Sequence, residues 1–164
     1  MDKNIRNGVS LIALIVIIII LIMLSGIVGY SGMGVMQDLK EASFYEDSQT
    51  IADAVEEYYL VNGDIPIKTG GLNISKIEFL QHVTEKRGQT ISNKLDELLK
   101  ANEEDNSNFY EVDMQKIGVE SAKYGLKEKG EDDIFIVSNT TAKAYYYSGF
   151  KFKKNVYFIN KVLE

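Results

Sequence analysis

From Asn7 to Gln37 the chain carries no charged side chain, and Leu11 to Leu24 is an unbroken run of Leu, Ile, Ala, Val and Met. About 20 apolar residues of helix cross the roughly 30 Å hydrocarbon layer of a bilayer, so Val9 to Val28 suffices for one crossing. That segment is withdrawn from any water-facing core and leaves a head of about 100 residues, a common domain size. Lys3 and Arg6 precede the apolar run, and the first charges after it are Asp38, Lys40 and Glu41. The positive-inside bias then keeps the N-terminus in the cytoplasm and puts the head outside. A secretory signal peptide is the competing reading, with Leu24-Ser25-Gly26 as a weak cleavage site. Its apolar core would be shorter than this one.

The residues around the start of the run carry a more specific pattern. Asn7-Gly8-Val9-Ser10-Leu11-Ile12 resembles the class III leader of type IV prepilins and pseudopilins, in which a short basic segment ends in Gly before an apolar run. The resemblance implies that a prepilin peptidase on the cytoplasmic side cuts between Gly8 and Val9, and that Val9 becomes the methylated N-terminus. A residue without a side chain suits an extended backbone in a narrow protease site. A plain transmembrane anchor starting at Val9 fits the same six residues.

The resemblance also implies a role for Val9, Leu11, Ile12, Ala13 and Leu14, together with Gly26, Gly29 and Gly32, in packing against the same helix of other subunits. Ala13 departs from the family pattern, which has Glu at that place to meet a neighbour's N-terminal ammonium. A carboxylate in hydrocarbon needs such a partner, and Ala13 cannot supply one. This leaves cleavage intact but leans the chain toward a pseudopilin or a minor or tip subunit.

Residues 26–34 contain four Gly, each costing an exposed helix about 1 kcal/mol relative to Ala. This soft stretch suits either close helix contact in the membrane or local unwinding on assembly. Farther on, Phe44, Ser48, Ile51, Val55 and Tyr58 advance by the alternating three and four of one helical face. Glu46, Thr50, Asp53 and Glu57 fall on the opposite face. Val35, Leu39 and Ala42 share the angular side of the acidic set, so the apolar stripe changes sides near residue 43. Taken as one helix, Val9 to Val61 would be about 80 Å long. Asn62-Gly63 and then Pro66 stop it, and Ala54 to Pro66 is similar to the pseudopilin segment in which an aromatic-rich helix end runs into Asn-Gly and Pro.

The expected division is therefore a leader over 1–8, an apolar membrane or filament-core helix over 9–30, its amphipathic continuation over 31–62, and a head over 63–164. In the head, Ser75-Lys76-Ile77-Glu78 predicts a capping box opening one short helix, and a second is expected from Ser92 to Asn102. Asn102 to Asn108 reads as a solvated loop. Strands are expected at Phe109–Val112, Ile134–Ser138, Ala142–Tyr147 and Val156–Ile159, separated by Asn139-Thr140-Thr141 and Ser148-Gly149. The fold class is α+β and pilin-like, a long helix packed on a small antiparallel sheet with two short helices.

Other features narrow the chemistry. The formal charge of −6 leaves −7 beyond Gly8, since Lys3 and Arg6 outweigh Asp2 by one; such a head is a poor nucleic-acid binder. Cys is absent and His82 is the only His, so a thiolate or multi-histidine metal site is impossible. His82 reads as a surface or boundary residue. Glu103-Glu104-Asp105 and Glu131-Asp132-Asp133 lack the alternating spacing of a calcium loop, and no Walker loop or nucleophile elbow occurs. The expectation is no enzyme, no cofactor and no metal. The aromatic residues between Tyr145 and Lys161 read as sheet packing or as a sugar or peptide platform. Lys151, Lys153 and Lys154 form a basic hairpin tip able to meet Glu46, Asp53 or Glu57 of a neighbouring subunit, or a solvated turn.

The resemblance implies further partners: other copies or related pilin-like subunits, the peptidase, an assembly platform protein and a cytoplasmic ATPase. It also implies a single-pass place in a bacterial cell membrane, then a cell-surface filament serving adhesion or motility, secretion or DNA uptake. The alternative is a membrane-anchored extracellular ligand-binding protein that keeps its leader.

Overall fold

The structure, a computed structural model, describes residues 17, 39–119, 134–159 and 162–163. The chain divides into two units, residues 1–40 and 41–164. Of the first, Ile17, Leu39 and Lys40 are described, each in helical conformation. Among the described residues no helix is long and apolar enough to cross a membrane. The expected span from Val9 to Val28 lies outside them apart from Ile17, as do the leader and the Gly-rich stretch.

Helix α1 is described over residues 39–62. Its apolar spacing is realised: Phe44, Ile51 and Val55 are fully buried and Ser48 nearly so, while Glu46, Thr50, Asp53 and Glu57 are exposed. Leu39 and Ala42 are exposed as well, in keeping with a stripe that changes sides near residue 43. The helix stops for a local reason. Gly63 takes φ 70°, its N–H reaches the Tyr59 carbonyl at 2.8 Å, and the Asn62 amide donates to the Tyr58 carbonyl at 2.9 Å. Left-handed backbone there is free of Cβ strain only for Gly.

Two helices follow a short strand, β1 (Asn73–Ser75). Helix α2 (Lys76–Arg87) opens with the expected capping box: Ser75 Oγ accepts from the Glu78 N–H, and the Glu78 carboxylate accepts from the Ser75 N–H. Helix α3 (Gln89–Ala101) starts three residues before the expected Ser92. Gly88, at φ 93°, is the hinge that lets α3 begin at once. Ser92 is buried and donates to the Leu80 carbonyl at 2.9 Å, so it joins α3 to α2.

The remaining strands are β2 (Asn108–Glu111), β3 (Phe135–Ser138), β4 (Ala144–Tyr146), β5 (Phe150–Phe152), β6 (Asn155–Tyr157) and β7 (Val162–Leu163). They form two antiparallel sheets where one was expected: β1-β2-β3-β4 and β5-β6-β7. Strands β1, β5 and β7 were not anticipated, being too short to show alternation. Ala142, expected to begin a strand, instead sits in the preceding turn at φ 56°.

The larger sheet is covered on both faces, which is why Phe135, Ile136 and Val137 are consecutive and all buried. Phe135, Val137, Ala144 and Tyr146 join Phe44, Ile51 and Val55 of α1 in one core. Phe109, Ile136 and Tyr145 join Phe79, Val83, Leu95 and Leu99 of α2 and α3 in another. The β5–β6 hairpin closes the α1 side. Phe150 stacks on Phe44 with ring centres 4.4 Å apart, and the Tyr157 hydroxyl donates to the Glu41 carboxylate. The aromatic side chains at 145, 146, 150, 152, 157 and 158 are thus core residues, the packing alternative of the two weighed for them.

Candidate interaction surface

The residues read as processing and assembly sites, Gly8, Val9, Leu11, Ile12, Ala13, Leu14, Gly26, Gly29 and Gly32, lie outside the described residues, as does Glu131-Asp132-Asp133. What the fold does bring together is a surface on the head, built from α1, the β3–β4 turn and the β5–β6 tip.

The sequence between 41 and 67 contains Glu41, Glu46, Asp47, Asp53, Glu56, Glu57 and Asp64 and no Lys or Arg. On α1 these place Glu46, Asp53, Glu56 and Glu57 in solvent. Asp53 and Glu57 stand at the i,i+4 spacing where like charges repel. Gln49 donates to Asp53 at 2.7 Å, a neutral contact that leaves the sign of the face unchanged.

The C-terminal turn of α1 adds apolar surface. Tyr59 is 42% exposed, Leu60 75% and Val61 76%. Tyr59 and Leu60, with Ala52 and Glu56, form one wall of a groove of about 470 Å³ whose other wall is Thr141 to Ala144 with Ile159. That second wall is held from beneath by Glu104. The segment expected to be a solvated loop is a loop, exposed at Glu103, Asp105 and Asn106, but Glu104 within it is fully buried and Ser107 nearly so: the Glu104 carboxylate accepts from Ser107 and Ser138 at 2.5 Å each, from Tyr145 at 3.2 Å, and from Thr141. The burial of Tyr145, reinforced by the charge of Glu104, pushes its phenol well above the ordinary value. Lys143 reaches the Asn102 side-chain oxygen at 3.1 Å, completing the tie between loop and turn. No sequence signal announces this cluster, because its members are brought together from positions 34 to 41 residues apart as well as from nearby.

Glu104 is therefore occupied by hydroxyls, and Asp105 pairs with Lys76 at 2.9 Å, so Glu103-Glu104-Asp105 does not converge on one point. Among the described residues no group of three His, Cys, Asp or Glu side chains is arranged to hold a metal ion. His82 is half-buried, stacked on Tyr147 with ring centres 3.9 Å apart and within 3.3 Å of Ser148 Oγ. Burial, helped by the charges of Glu78 and Glu85, raises the Tyr147 phenol.

The basic tip lies at the β5–β6 turn. Phe152 pairs with Asn155, so Lys153 and Lys154 are the whole of a two-residue loop. Lys153 takes φ 54° and lies over the Phe152 ring, 4.7 Å from its centre. Lys151, Lys153 and Lys154 are all exposed. No protein-family model matches the chain, and no curated protein or solved structure matches it.

Proposed function

We propose that the chain is a structural subunit of a type IV pilus-like filament, made as a membrane-anchored precursor, cut after Gly8 and polymerised through its N-terminal helix. The observation that carries this reading is the leader string Asn7-Gly8-Val9-Ser10-Leu11-Ile12 set directly against an uncharged run that lasts to Gln37. The described part supports it by its order: an amphipathic helix ending at Asn62-Gly63, then an α+β head whose sheet packs on that helix. In this reading the apolar run and α1 form one rod, the first half packing with other subunits and the second with its own head. A separate ATPase and platform protein supply the work, and the chain contributes shape. Ala13 in place of Glu favours a pseudopilin or minor subunit over a major one.

Intact mass of the chain from cells with and without a prepilin peptidase tests this. Loss of residues 1–8 with one added methyl group, only when the peptidase is present, is the expected result. A chain that stays full length beside an active peptidase refutes the proposal and leaves a single-pass protein that keeps its leader.

A further inference from the structure

We propose that adjacent heads join head to tail, the β5–β6 tip of one copy seated on the acidic face of α1 in the next. This rests on the filament reading and names the contact between heads. Three independent features support it.

First, the charges are complementary and segregated. The acidic face of α1 has no basic residue on its own segment from 41 to 67, and the tip presents three Lys in four positions. Second, a copy cannot satisfy its own acidic face with its own tip. The hairpin packs through Phe150 and Phe152 onto the side of α1 marked by Phe44, whereas Glu46, Asp53 and Glu57 lie on the opposite side. The contact is therefore made between two copies through unlike patches, so in a filament it can repeat from each copy to the next.

Third, the tip keeps its charge against local backbone preference. A two-residue hairpin loop whose first residue has positive φ favours Gly there, because any Cβ is strained. This chain has Lys153 at that place.

Exposed ion pairs alone contribute little, so the contact needs apolar area. Beside Glu56 and Glu57 lie the exposed Tyr59 and Leu60, on which the methylene stems of Lys151 and Lys154 can rest while their ammonium groups reach the carboxylates.

The absence of Cys makes the test direct. Two full-length versions, one Lys154→Cys and one Glu57→Cys, are co-expressed in cells that contain the peptidase and treated with a short bismaleimide. A cross-linked pair is expected from the mixture, with at least tenfold less from either version alone. Adding Lys151→Glu to the first version should lower the yield about tenfold. Adding Glu46→Lys to the second should then restore it. Lys153→Gly should weaken the cross-link while leaving the thermal midpoint equal or higher, a combination that a merely structural lysine would not give. Processed chains in filaments without this cross-link overturn the contact and leave the filament reading standing. The cross-link in chains that retain residues 1–8 upholds the contact and removes the filament reading. Equal cross-linking of Lys154→Cys copies with one another, or failure of the charge exchange to restore the yield, overturns the contact.

Discussion

Replacing Glu104 by Ala should be among the most damaging single changes in the head, although it removes a charge from a loop. Four hydroxyls donate to this carboxylate, from Ser107, Ser138, Thr141 and Tyr145. Hydrogen bonds to a charged group contribute about 1.5–3 kcal/mol each, but they do not simply add here. Ser107 keeps a contact with the Thr140 hydroxyl at 2.8 Å, and an absent carboxylate no longer has to be buried. Counting two hydroxyls left without an acceptor at about 2 kcal/mol each gives a loss of about 4 kcal/mol for Glu104→Ala. Glu104→Gln retains one acceptor oxygen and the shape, and should lose about 2 kcal/mol.

Urea unfolding of the full chain in detergent, followed by far-ultraviolet circular dichroism, measures both. With a denaturant slope of about 1.5–2 kcal/mol/M, the midpoint should fall by about 2–3 M for Ala and about 1 M for Gln. A double-mutant cycle with Thr141→Val should show coupling above about 1 kcal/mol, as expected of groups in one network. A Glu104→Gln protein as stable as the parent, or an Ala variant losing under about 1 kcal/mol, would refute the argument that the carboxylate is the fixed point of the β3–β4 turn.

Three further outcomes follow from particular residues. Gly149 has φ 68°, and a Cβ there would lie 2.8 Å from Phe158 and Val156 carbons, so Gly149→Ala should destabilise by about 3 kcal/mol in the same assay. Ser48 is buried on α1 and its Oγ has no hydrogen-bond partner; Ser48→Ala removes an unpaired polar group from a helix interior and should stabilise by about 1 kcal/mol, read as a rise in thermal midpoint. Bonds from Lys100 and Lys76 hold the Asp96 carboxyl below its ordinary value. Its folded form is the depressed one, so its contribution is present above about pH 4 and is lost as pH falls through the folded value. Being partly exposed, the site is worth under about 1 kcal/mol, and Asp96→Asn should flatten the thermal midpoint between about pH 4 and pH 2 by that amount.

The parts of this head that could be read from sequence are those whose cause is local. Phe44, Ile51 and Val55 recur at the helical period, and Ser75 and Glu78 lie three residues apart, so each signal is complete within one or two turns. Asn62-Gly63 is likewise a stop that needs no distant partner. Helix α3 starts at Gln89, ahead of the expected Ser92, because Gly88 turns the chain directly from α2 into α3, and the Ser92 hydroxyl is used by the Leu80 carbonyl twelve residues earlier. Strands of two or three residues carry too few positions to reveal a period of two. In Phe135-Ile136-Val137 the alternation is hidden by helices on both faces of the sheet, so no position is left to be polar.

Glu104 marks the physical limit of reading by pattern. Its neighbours Glu103 and Asp105 are exposed and charged, and by composition all three belong to one solvated loop. What distinguishes the middle one is that Glu103 takes φ 63°, turning the chain so that the next side chain points inward to hydroxyls from β3, the turn after it and β4. A buried carboxylate is tolerable only when its hydrogen bonds are met, and these donors exist only once the sheet has formed. The same dependence fixes the groove wall at Thr141 to Ala144, so the surface beside the acidic face of α1 is set by a buried carboxylate that holds Thr141 from behind. If the head-to-tail contact uses that wall, Glu104→Gln should weaken cross-linking between Lys154→Cys and Glu57→Cys copies at temperatures where the head is still folded. Unchanged cross-linking would confine the contact to α1 itself.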